Sequence, residues 1–214
     1  MADGSNQYII AISPHVTRPV DNRTQSFQLR ALVAFERIGD LAVNINDSAV
    51  KMKDEKTIFS ESANLELVIA TDAVRDILTS TVQAYKENDI TLARKVEPLE
   101  EVIDELIEEL RSHHVYRMTR HICDAFRGIE FQNILTYLER ISDQCSDLAV
   151  YLLGRYDSAI DGREHQYIHE LHHSDDREYM NDFTANYEKY FSLLKAQAIA
   201  EADDESEQAV PGTT

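Results

Sequence analysis

The sequence predicts an all-α protein: an antiparallel three-helix bundle preceded by one extra N-terminal helix from an incomplete first repeat. Three observations carry this. Glycine and proline are sparse, 6 and 4 in 214 residues, so turns are few and regular segments long. Apolar residues recur at alternating steps of three and four, the period of one helix face. The phrase Glu-Arg-Ile-x-Asp is written twice in the same register, at 36–40 and 139–143, as expected where one helix is the counterpart of another.

Met1–Gln7 reads as a small polar leader, and residues 8–24, with Pro14 and Pro19, as a loop. Residues 25–56 form the last helix of a truncated first repeat, with Ala31, Phe35, Ile38, Ala42, Ile45 and Ala49 on its seam. Its own two partner helices are missing, which predicts that the seam of 31–49 is exposed and drives self-association. A complete repeat follows over 57–154. Its first helix, 61–87, carries Leu67, Ala70, Val74, Leu78, Thr81 and Tyr85 on one stripe, with Ser60 as N-cap and Glu87-Asn88-Asp89 as its end. The second steps through Leu92, Val96, Leu99, Ile103, Leu106 and Leu110. Pro98 removes a hydrogen bond there and either kinks the helix or marks its true start. This helix runs to about 120, and Gly128 separates it from the next. The third steps through Ile134, Leu138, Ile141, Cys145, Leu148 and Leu152, and Gly154 is its natural stop. Residues 155–200 are a helical extension: a polar connection, then a helix at 176–200 with Phe183, Tyr187, Tyr190, Phe191 and Leu194 as a packing face. The acidic tail, 201–214, lacks core residues and reads as disordered.

A net charge of −18 argues against nucleic acid as a partner, because a phosphate backbone would be repelled. No apolar run is long enough to span a bilayer, so no direct transmembrane segment is expected, and no signal-peptide pattern opens the chain. Cys123 and Cys145 are too few for a disulfide framework and read as buried thiols in a reducing cytoplasm. No phosphate-gripping glycine loop, GxSxG elbow or Ser/His/Asp set is present, so no enzymatic activity and no catalytic residue is expected.

Chemistry concentrates on carboxylates. Glu139 and Asp143 lie one turn apart on one helix face, and Asp147 extends the ridge by another turn. Glu36, Asp40 and Asn44 repeat the arrangement, and Glu100 with Asp104, beside Glu97, Glu101 and Glu108, supplies a comparable pair on a second helix. Like charges at that spacing repel by a few tenths of a kcal/mol, roughly, and a bound cation turns the cost into affinity, with hard oxygen ligands suiting magnesium, manganese, iron(III) and, less exclusively, zinc. The pairs lie outside the apolar seam and are expected to face solvent. With 39 acidic residues, roughly seven such pairs arise by composition alone, and Arg37 and Arg140 offer ordinary ion pairs, so a solvated charged face stands beside the metal reading. His165, His169, His172 and His173 include pairs at ligand spacing in a polar, exposed stretch. His113 and His114 are placed to meet C-terminal helix carbonyls.

The helices carrying FERIGDLAVNI (residues 35–45) and YLERISDQCSDLAV (137–150), with FSESANLEL (59–67), ARKVEPLEEVIDELIEEL (93–110) and HVYRMTRHIC (114–123), resemble the PhoU family. The resemblance is nearest to the PhoU-like C-terminal region of bacterial Na/phosphate cotransporter family proteins, and extends from about residue 8 to 191. It implies a PhoU-like fold, metal held by Glu/Asp-x-x-x-Asp motifs, and a regulatory role in phosphate uptake. Carried over residue by residue, the motif falls on Glu36 and Asp40, on Glu100 and Asp104, and on Glu139 and Asp143, with Asp147 as an added charge. The metal expected is iron, zinc or manganese. The implied partner is the membrane domain of such a cotransporter or a phosphate-signalling protein, with a homodimer as a further possibility and a cytoplasmic, transporter-associated location. A metal-free helical module that docks on such a partner is the alternative. Two departures from the family pattern stand out: Gln144 replaces a usual His, and His121 stands where Gly is usual.

Overall fold

The helix boundaries are set by residues that satisfy or terminate the backbone ladder. In the computed structural model, which describes residues 2–121 and 123–208, the Ser60 hydroxyl accepts from the Ala63 amide at 3.3 Å and starts α3 (Glu61–Glu87). Asn88, at φ 53°, ends it in the left-handed conformation that asparagine tolerates. The Asp89 carboxylate accepts from the Thr91 and Leu92 amides and caps the short α4 (Ile90–Arg94). Next, α5 (Val96–Thr119) opens with Pro98 in its first turn, where no helical partner for its nitrogen is lost. Of its two expected roles, Pro98 therefore takes the second and marks a true start. Asp124 caps α6 (Ala125–Tyr156) through the Arg127 amide.

Ahead of this unit, α2 (Pro19–Asp54) opens on Pro19. Residues 8–24 are not the loop that their prolines suggest. An α1 helix (Ala2–Ile12) precedes a 3-10 turn (Ser13–His15) that holds Pro14, and both prolines occupy positions that need no amide donor. After α6 come α7 (Glu164–His172), in the stretch read as a polar connection, and α8 (Arg177–Gln208). The backbone is thus helical to residue 208, within the tail expected to be disordered; residues 209–214 of that tail lie outside the described residues. Among the described residues there is no strand, and no helix is long and apolar enough to cross a membrane.

Side-chain pairs fix the packing. Glu66 near the start of α3 meets Arg117 near the end of α5, and Arg111 and Glu97 of α5 meet Glu139 and Ser146 of α6. Consecutive helices of this unit therefore run antiparallel. Along α6, also antiparallel, lies α2: the Arg155 guanidinium sits 5.7 Å from the Phe27 ring at one end, and Lys51 is 3.6 Å from Glu130 at the other. On the α3/α5 side lies α8, whose Lys189 and Tyr190 reach Asp76. Tyr190, Phe191 and Leu194 are buried, with Phe183 and Tyr187 packed beside them, so the aromatic stripe is the packing face its spacing predicts.

One core joins all of this. Ala31, Ala34 and Ile38 of α2 share it with Ile77, Ile103, Leu106, Leu135 and Leu138. The expected exposure of the α2 seam is therefore corrected: Ala31 and Ile38 are buried, Phe35 and Ile45 pack on the core, and Ala42 and Ala49 stay outside. The reason is that α6 offers apolar surface on more than one side and so takes α2 as well as α3 and α5; burying each large aliphatic side chain gains about 1.5–3 kcal/mol.

Two glycines read as breaks are close-packing positions instead. Gly128 lies inside α6, where a Cβ would stand 3.0 Å from Met118 Sδ and 3.2 Å from His114 Nε2. Gly154 is also inside α6, and a Cβ there would stand 3.4 Å from the Asp161 backbone. Cys145 is fully buried and burial pushes its thiol up to about 12, whereas Cys123, expected inside, is partly exposed in the α5–α6 connection.

His121, where the resemblance expects glycine, holds φ 58°. A β-carbon costs about 1 kcal/mol there. His121→Gly is therefore expected to raise the melting temperature by about 2–4 °C, read by thermal circular dichroism. An unchanged or lower value would show that the imidazole contributes more than the strain it carries.

Candidate metal centre

Helix periodicity sorts the α5 carboxylates by depth. Glu97, in the first turn, is drawn inside and is only 4% exposed. Ser146 Oγ donates to one of its oxygens, and His172 Nε2 lies 2.8 Å from the other. The second ring nitrogen of His172 lies 3.1 Å from Glu101. The hydrogen bond to Glu97, followed by the nearby acidic charges, raises the imidazole above its ordinary range despite burial. The His172 imidazole thus clips α7 over the start of α5.

Along the same helix, Glu100 and Asp104 face Asp143 of α6. One oxygen from each lies within 4.8 Å of the others. Glu100 is half-buried in the α5/α6 seam while Asp104 and Asp143 reach solvent. Burial, and then the charges of Glu97, Asp104 and Asp143, push Glu100 up to about 10. Burial and the charges of Asp143 and Glu139 push Asp104 up to about 7. Asp143 is raised by burial, Glu139 and Asp147, against an opposing hydrogen bond from Glu100. Three carboxyl groups this close cannot all ionise at neutral pH unless a cation joins them.

The donor set fits such a cation. All three ligands are hard oxygens, and Mg-to-Ca-type ions bind oxygen at about 2.0–2.6 Å. A mutual separation of at most 4.8 Å is about twice that distance, so one ion can reach all three. With no nitrogen or sulfur donor in the set, manganese or iron(III) suits it better than zinc.

The other predicted ligands lie elsewhere. Glu139 is gripped by the Arg111 guanidinium through two bonds of 3.0 and 2.5 Å, which places it on the rim of the trio as half of an ion pair. Asp147 faces Arg37 and His165 beside a groove of about 280 Å³ lined by Arg30, Arg37, Gln144 and Tyr151. Glu36 and Asp40 are exposed on α2 and do not converge with the trio. Among the described residues, the histidines of α7 do not join a ligand set either: the His169 and His173 rings stack at 4.4 Å, while His172 serves Glu97 and Glu101. The expectation that the acidic pairs all face outward is corrected at Glu100 and Glu97, because α6 and the α7–α8 arm cover that flank of α5.

A second buried cluster escaped the spacing argument. Glu66, 2% exposed, takes Arg117 through bonds of 2.8 and 2.6 Å, with His113 Nδ1 at 2.9 Å. His114 stacks on Phe131 with ring centres 5.1 Å apart, and burial lowers its basicity. Neither imidazole therefore serves mainly as a cap for helix carbonyls. The signal for Glu66 was in the text: it occupies a step of the buried series Ala63, Glu66, Ala70, Ala73, Ile77, where an apolar residue belongs.

Comparison with known proteins places this geometry. Residues 67–152, from the first turns of α3 to nearly the end of α6 and including all three members of the trio, match the PhoU domain model. The phosphate-specific transport system accessory protein PhoU homolog 1 of Thermotoga maritima is 27% identical over 113 residues, 53% of this chain and 48% of its own length. The protein of the same name from Methanothermobacter thermautotrophicus is 26% identical over 120 residues, 56% of this chain and 52% of its own. The chain thus spans about half the length of these curated relatives. No solved structure matches it at a significant level. What the comparisons establish is a PhoU-domain match over the three-helix unit, with PhoU accessory proteins as relatives at low identity.

Proposed function

We propose that this chain regulates phosphate uptake as a metal-dependent accessory module of a transporter. The observation that carries the reading is the convergence of Glu100, Asp104 and Asp143 from two helices inside the segment that matches the PhoU domain. The relatives are named for phosphate-specific transport, which supplies the process. The finer assignment is to a Na-dependent phosphate cotransporter, whose membrane domain would be the partner; it rests on the resemblance of the ERIGD and LERISD helices described above. In this reading Glu100, Asp104 and Asp143 are the ligands, and Arg111 holds Glu139 as a charged rim beside them. A bound metal ion would neutralise the trio and present open coordination positions at the α5/α6 surface.

The test is elemental analysis of protein purified without a histidine tag, alongside Glu100→Gln/Asp104→Asn/Asp143→Asn. Wild-type protein is expected to carry close to one equivalent of manganese or iron, and the variant less than about a tenth of that. Equal metal content at unchanged helicity would remove the ligand assignment. The alternative, a metal-free docking module, draws support from Arg111 and His172, which already balance part of the acidic ridge from within. Metal-free wild-type protein that still binds the transporter's cytoplasmic surface would favour it.

A further inference from the structure

The groove between α2 and α6 is lined by polar groups that no neighbouring side chain uses. Arg30, Val33 and Arg37 of α2 face Gln144, Asp147 and Tyr151 of α6 across about 280 Å³. The contacts that join the two helices, Arg155 on Phe27 and Lys51 with Glu130, set their register. By that register Arg30 stands level with Tyr151 and Arg37 with Gln144, and Asp147 falls between the two guanidinium groups. Seven residues separate the arginines, roughly 10 Å along the helix. Arg30 is fixed: it pairs with Glu164 of α7, and its guanidinium lies 4.9 Å from the centre of the Tyr151 ring. The other groups are not. Among the described residues, Arg37, Gln144, Asp147 and the Tyr151 hydroxyl make no hydrogen bond within the chain. Arg37 and Asp147 feel each other's charge without forming an ion pair. Burial holds the Asp147 carboxyl above its ordinary range, as expected of a half-buried carboxylate that lacks a close cation.

We infer that this groove binds a small α-amino acid with an aliphatic side chain, its carboxylate on Arg37 and its ammonium on Asp147. A plain anion would answer Arg37 but meet Asp147 in the middle of the groove. A plain cation would answer Asp147 but face a guanidinium on either side. A molecule that carries both charges a few bonds apart satisfies both through charge-assisted hydrogen bonds. The Gln144 amide, level with Arg37, can donate to the second carboxylate oxygen. Leu29, Ala34 and Val33, the last 41% exposed, form an apolar floor that the ligand's side chain would cover. The stack of Arg30 on Tyr151 closes that end. The volume is that of a small ligand, below the roughly 300–1,000 Å³ of larger small-molecule sites. No member of the acidic trio lines the groove, so the inference stands independently of any metal there.

Isothermal titration calorimetry of the full chain with L-leucine, with and without chelator, tests this. One molecule per chain is expected to bind in both conditions, with a dissociation constant of about 1 mM or below. N-acetyl-L-leucine, which lacks the ammonium, and L-leucinamide, which lacks the carboxylate, should each bind about tenfold more weakly. Arg37→Ala and Asp147→Asn should each weaken leucine binding to a similar degree at unchanged circular dichroism. Asp147→Asn should also no longer distinguish leucine from its N-acetyl form. No binding of L-leucine up to about 20 mM, equal binding of the N-acetyl form by the wild-type chain, or leucine binding indifferent to Arg37→Ala would each overturn the inference.

Discussion

Freed of metal, the protein should melt at a lower temperature at about pH 8 than at about pH 6, by on the order of 5 °C. The sign follows from the trio. Glu100 and Asp104 titrate at about 10 and about 7 in the fold, against ordinary values of 4.5 and 3.8. Between those values the folded chain holds protons that the unfolded chain has released, so stability falls as pH rises. His172 acts in the same direction. Its folded value is raised above 6.5, so its clip on Glu97 contributes fully below that pH and fades as pH climbs through the folded value. Glu100→Gln/Asp104→Asn should flatten the slope and raise the melting temperature at the alkaline end, while His172→Ala should lower it at the acid end. Added manganese should reverse the trend, because its ligands bind only after losing their protons. Differential scanning calorimetry across pH reads all of this. An undiminished slope in the double variant would place the pH dependence outside the trio.

The largest single loss is expected from Arg117→Ala. Glu66 is buried beneath Arg117, and removing the guanidinium strands a carboxylate with His113 as its remaining partner, at a cost of about 3–5 kcal/mol. The lost contact between the guanidinium and the Phe131 ring, 5.2 Å away, acts in the same direction. Urea denaturation measures the loss. The paired change Glu66→Gln/Arg117→Met should recover most of it, since a buried ion pair can be exchanged for neutral groups at little net cost. A loss below about 1 kcal/mol in Arg117→Ala would show that water reaches the pair.

How much of this was legible in the sequence depends on what each residue type encodes. The steps of three and four gave every long helix, and Ser60 and Asn88 gave correct ends because each acts through its own local backbone, whereas Pro98 left a kink and a start as alternatives. Gly128 and Gly154 misled, since a glycine that ends a helix and a glycine that lets two chain segments touch are spelled alike. Prolines hid α1, although both sit where a helix or turn tolerates them. At the candidate site, spacing put Glu139 and Asp143 on one face. It could not show that Arg111, on another helix, takes Glu139, or that Asp143 looks across to Glu100 and Asp104. Those pairings depend on the rotation of α5 against α6, which no single helix records.

The position of α6 has a consequence for synthesis. A ribosome making about 5–20 residues per second completes α2 well before its binding partner exists, since the repeat places their matching residues 103 positions apart. For roughly 5–20 seconds the nascent chain holds Ala31 and Ile38 without the α6 surface that they share in the folded core. The units between, α3 and α5, can pair locally in that interval, and α2 folds back only when α6 emerges. Helix α2 therefore docks only after a helix made much later, and it waits with an apolar stripe that a chaperone could hold.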